Sequence, residues 1–162
     1  MKTASLAELK RALADYSPKE LMALCLRMAK FKIDNKELLH YLVFESENEA
    51  SFLEEVKMEI EEDFEYLNIY SVYHFKKGAR KILTRTNKYI KYSGQTQTRV
   101  ELLICFSKNL RNKMFNFQDH PLITNFYDRQ IINIQKSIAK LDEDLQFDYV
   151  NELKTLGIPI ER

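Results

Sequence analysis

Apolar positions along this chain recur at intervals of three and four, the spacing of an amphipathic helix, and nowhere alternate in the two-residue rhythm of a strand. Phe52, Leu53, Val56, Ile60, Phe64 and Leu67 fall in one sector of a segment running from Glu45 to Tyr66. Val72, Phe75, Ala79, Ile82, Leu83, Thr86 and Ile90 do the same between Tyr70 and Tyr92. A third pattern, from Thr96 or Thr98 to about Met114, places Val100, Leu103, Ile104, Phe106, Leu110 and Met114 inward. After a loop at 115–120, Pro121 opens a helix with a heptad-like seam of Tyr127, Ile131, Ile134, Ile138, Leu141 and Leu145. Asp142 then caps a last helix carrying Tyr149, Val150, Leu153 and Leu156, which stops at Gly157 with Pro159 beyond.

Helix starts are dense at the N-terminal end. Ser5, Ser17, Asp34 and Ser46 each stand three residues before a Glu (Glu8, Glu20, Glu37 and Glu49), the arrangement in which cap and carboxylate satisfy each other's backbone amides. Pro18 suits a first helical position. The pair Ser5/Ser17 returns 29 residues later as Asp34/Ser46, and Leu9, Leu13 and Leu24 then align with Leu38, Leu42 and Leu53. This spacing predicts two stacked αα-hairpins over 5–62, followed by longer helices over 69–162. In architecture alone the hairpins resemble α-solenoids of the HEAT or TPR kind. The chain has no Trp, which the TPR pattern requires, and 29 residues is shorter than either period.

Composition agrees with this reading. The 162 residues are 45% apolar with three Gly and three Pro, enough to bury one core, so a single all-α domain is expected. Its form is an αα-hairpin array, short and α-solenoid-like, or an irregular helical bundle of about seven or eight helices. No apolar run approaches the roughly 20 residues of a membrane span, and no signal peptide is evident, so a cytoplasmic protein is expected. Cys25 and Cys105 sit among apolar neighbours without a second Cys at metal or redox spacing, and read as buried free thiols.

Charge changes the picture more than composition does. The segment 45–66 holds ten acids against one base, Lys57. The segment 70–92 holds seven bases and no acid: Lys76, Lys77, Arg80, Lys81, Arg85, Lys88 and Lys91. Such a division is either self-complementary within the fold or offered to a partner. The second option predicts a contact surface of Tyr73, Lys77, Arg80, Lys81, Arg85, Lys88, Lys91 and Tyr92, assisted by Arg99, Lys108 and Arg111. Its expected partner is an acidic protein. The alternative is a single-stranded RNA or DNA, with cations following phosphates and tyrosines stacking on bases. A monomer or weak homodimer is expected.

Candidate chemistry is thinner. Glu37-Leu-Leu-His40 has the spacing of a di-metal ligand pair but occurs once, and such sites need it twice. Glu55, Glu59 and Glu62 form a carboxylate ladder that a solvated acidic face explains as well. No Gly-rich phosphate loop and no nucleophile motif is present. Neither catalysis, a cofactor nor a metal site is expected, and a metal-dependent helical enzyme is the remote third alternative.

Overall fold

The structure is a computed structural model that describes residues 2–158. It is all-α: α1 (Leu6–Leu13), α2 (Pro18–Phe31), α3 (Ile33–His40), α4 (Glu49–Glu65), α5 (Val72–Ser93), α6 (Thr96–Lys113), α7 (Pro121–Ile138) and α8 (Glu143–Thr155). A π-helical turn, Tyr41–Glu45, prolongs α3, and a 3-10 turn, Met114–Phe117, prolongs α6. Among the described residues there is no strand, and no helix is long and apolar enough to cross a membrane. The chain forms two compact units, 1–46 and 47–162.

Within the N-terminal unit the first two expected helix starts hold. Ser5 and Ser17 cap α1 and α2, and Glu8 and Glu20 reach back to the cap amides at 2.7 and 2.8 Å. The next two move. α3 begins after Lys32, whose backbone is extended, so Asp34 lies inside the first turn. Ser46 donates its hydroxyl to the Leu42 carbonyl at 3.0 Å, and Asn48 caps α4 by accepting from the Ser51 amide at 3.2 Å. The caps of the second expected hairpin therefore differ from those of the first, and the boundary between units falls inside it. Helices α1, α2 and α3 bury no residue; among the described residues of this unit, Tyr41 in the π-helical turn is the buried side chain. An apolar groove of about 750 Å³ runs beside Leu26, Phe31, Ile33, Leu39 and Phe44. Cys25, expected to be buried, is exposed on α2, a helix with no buried residue.

The C-terminal unit is organised around α6, which packs on α4, α5 and α7. Six consecutive residues, Leu102 to Ser107, are buried, and at 100° per residue six in a row cover the whole circumference. The acidic helix α4 turns Phe52, Leu53, Val56, Ile60 and Phe64 toward it, and the seam of α7 contributes Tyr127, Ile131, Ile134 and Ile138. Phe64 meets Phe106 edge-on, with ring centroids 5.2 Å apart, and Phe106 meets Phe126 at 6.3 Å. The seam breaks after Ile138, and α8 follows as a separate helix. Left-handed backbone at Gly94 (φ 69°) ends α5, and at Gly157 (φ 63°) it closes the turn after α8, the stop expected there. Pro159 lies outside the described residues.

Candidate functional site

Helix α5 starts where Ser71 accepts the His74 amide at 3.3 Å. Phe75, Ala79, Ile82, Thr86 and Ile90 are buried on one side; the Thr86 hydroxyl, inside the core, is satisfied by the Ile82 carbonyl at 3.0 Å. On the opposite side Tyr73, Lys77, Arg80, Lys81 and Lys91 are exposed within one sector of about 100°. From Tyr73 to Lys91 that stripe runs about 27 Å at the rise of an α-helix. The Lys77 ammonium lies 5.9 Å from the centroid of the Tyr73 ring, a cation–π contact. No ion pair neutralises Lys77, Arg80, Lys81 or Lys91 among the described residues.

Five residues predicted for this surface lie elsewhere or are already engaged. Arg85 points at α4, where it pairs with Asp63 and lies 3.7 Å from Glu59. Tyr92 is only 9% exposed: it sits just beyond the edge of the stripe's sector and packs against Tyr89, ring centroids 6.2 Å apart. Arg111, at the far end of α6, donates to the Leu156 and Gly157 carbonyls at 2.6 and 2.8 Å, which makes it a clasp for the end of α8. Lys108 is exposed on a side of α6 that faces Lys57, Glu61 and Glu152. Lys88 shares the stripe's sector but is half-buried and engaged within the protein. Arg99 lies at the stripe's C-terminal end, lining a cavity with Lys91.

The cavity beside Arg99 also brings in Lys136 from α7 and Lys140 from the turn after it, which sequence reasoning missed. The signal available was their four-residue spacing on the polar side of the seam. What could not be read was that this side meets the end of α5.

The antiparallel packing of α4 and α5 does join opposite charges, but only along one edge. Besides Arg85, the Tyr89 hydroxyl donates to Glu59 at 2.8 Å, and Ser93 and Thr98 both donate to the Glu49 carboxylate. Glu54, Glu55, Glu61, Glu62 and Glu65 remain exposed on α4, so the unit presents an acidic helix beside a basic one. Pairs this exposed contribute about 0–1 kcal/mol each.

Of the other candidate chemistry, His40 lies 3.2 Å from Glu45 on an exposed surface, and the ladder's Glu59 is taken by Tyr89 and Arg85. Cys105 is buried, and its thiol is pushed up to about 11, first by burial and then by the nearby Glu61 charge. No family model matches this chain, and no curated protein or solved structure matches it.

Proposed function

We propose that this chain is a non-enzymatic helical binding module that docks an acidic partner protein on the exposed stripe of α5. One observation carries the reading: Tyr73, Lys77, Arg80, Lys81 and Lys91 share an exposed sector that contains no carboxylate, while the guanidinium on the α4 side, Arg85, is neutralised within the fold. Unpaired like charges along one helix face raise the potential there and attract an acidic surface.

An acidic protein is favoured over a single-stranded nucleic acid by the tyrosines. Base stacking needs exposed rings, and the structure leaves Tyr73 exposed but ties Tyr89 to Glu59 and buries Tyr92.

Fluorescence anisotropy with a labelled glutamate-rich peptide at low salt tests the proposal. Saturable binding that weakens with ionic strength and is lost in Lys77→Glu with Lys81→Glu supports it. Absence of binding, or tighter binding of a labelled oligonucleotide under the same conditions, overturns it.

A further inference from the structure

The cavity at the end of the stripe has a character of its own. About 490 Å³ of open, concave space lies between the last turn of α5, the first turn of α6, the second half of α7 and the turn after it. Its lining carries four cations, Lys91, Arg99, Lys136 and Lys140, and no carboxylate. Four like charges round a concave wall repel one another, and a bound anion is the ready way to offset that cost.

Arg99 is positioned rather than loose. Its Nε donates to Ser137 Oγ at 3.1 Å, and Ser137 in turn donates to the Asn133 carbonyl at 2.8 Å. Ser137 is 5% exposed, so this link is anchored in packed α7. The two terminal amino groups of the guanidinium remain without a protein acceptor among the described residues, and their fork matches two oxygens of one oxyanion. Lys136 stands in the last turn of α7 and Lys140 in the turn that follows it, and Lys91 lines the cavity from α5. Gln95 gives the start of α6 no side-chain cap, so its free amides add positive potential there.

We infer that this cavity binds the phosphoryl group of a small phosphorylated molecule, a phosphate monoester or a diphosphate. A carboxylate brings one charge to four cations, whereas these groups bring about two or more and offer several acceptor oxygens. The space also exceeds what a bare phosphate fills, leaving room for the body that carries it. The inference does not rest on the acidic-partner reading, since only Lys91 is shared.

The test is a titration of the full chain with pyrophosphate, inorganic phosphate and acetate at fixed ionic strength, followed by calorimetry and by backbone amide shifts. Pyrophosphate is expected to bind saturably at one site, inorganic phosphate more weakly and acetate not at all, with shifts concentrated at 95–99 and 133–140. Arg99→Gln should weaken pyrophosphate binding about tenfold, and Lys136→Gln with Lys140→Gln at least as much. Arg99→Lys should restore part of the loss. Lys77→Gln with Lys81→Gln should leave pyrophosphate binding unchanged while weakening the acidic peptide, which separates this site from the stripe. Unchanged melting temperatures of these surface variants establish that they fold. Non-saturable binding, an Arg99→Gln variant that binds normally, or equal losses from every lysine substitution would overturn the inference. So would a phosphoserine peptide that binds tighter than pyrophosphate.

Discussion

Lys57 on α4 and Glu101 on α6 meet at 2.9 Å, with their side chains 26% and 21% exposed. The other oxygen of the same carboxylate accepts the Tyr149 hydroxyl at 2.9 Å, so one glutamate ties α4, α6 and α8 together. Burial works against the Lys57 charge, but hydrogen bonds to Glu101 and Glu54 outweigh it and hold the ammonium above the usual lysine range. Glu101→Gln, which keeps the shape and removes the charge, should lower stability by about 2 kcal/mol. Urea unfolding should show an earlier midpoint with an unchanged slope. A midpoint equal to wild type would mean that the three helices do not depend on this node.

Alkaline pH should loosen the same node. The Tyr149 hydroxyl is pushed up to about 12 by burial first and by its bond to Glu101 second, and the Cys105 thiol to about 11. Both groups are held protonated by the fold, so their contribution is complete below the ordinary tyrosine and thiol values. It is lost as pH rises through about 9 to 11 for Cys105 and about 10 to 12 for Tyr149. The melting temperature should fall across that window, and in Tyr149→Phe the decline above pH 10 should be shallower.

The two thiols should separate cleanly by reactivity. Cys25 is exposed on α2, whereas Cys105 is buried on α6, with its sulfur 3.7 Å from the Asn109 amide nitrogen. With a thiol-specific reagent at neutral pH, the native protein should show one fast-reacting group, and the second should appear only on unfolding. Cys25→Ser should abolish the fast phase. Two equal rates in the native protein would contradict the burial of Cys105.

The two ends of α5 should respond oppositely to loss of a tyrosine ring. Tyr92 is buried, so Tyr92→Ala leaves a cavity and should cost about 3 kcal/mol. Tyr73, 67% exposed, should be replaceable by Ala within about 0.5 kcal/mol. Chemical denaturation of the two variants decides this.

Much of the fold was legible because its signals are local. Ser5 and Ser17 lie three residues from the glutamates they bond, and Gly94 and Gly157 reach a backbone region that other residues adopt only with strain. Asp34 and Ser46 carry the same motif and do not cap, because neighbours compete for the role. Extended backbone at Lys32 starts α3 early, with Asn35 tied back to the Met28 carbonyl at 2.9 Å, and the π-helical turn commits the Ser46 hydroxyl to the end of the preceding helix. Of the predicted surface, the stripe of Tyr73, Lys77, Arg80, Lys81 and Lys91 was readable from periodicity alone. Tyr92 and Arg85 were not, since each lies at the edge of that sector, where a neighbouring helix decides between water and protein.

The amino-acid sequence by itself determined the helical class, most helix ends and the division of charge between α4 and α5, since each depends on residues within a few turns of one another. Tertiary structure alone decided that α6 lies at the centre, that Arg85 is neutralised while Lys81 stays in water, and that Lys91 and Arg99 meet Lys136 and Lys140. The reason is distance along the chain. Lys91 and Lys140 are separated by more than two helices, and only the packing of α5 and α7 on α6 sets which of their faces share a cavity.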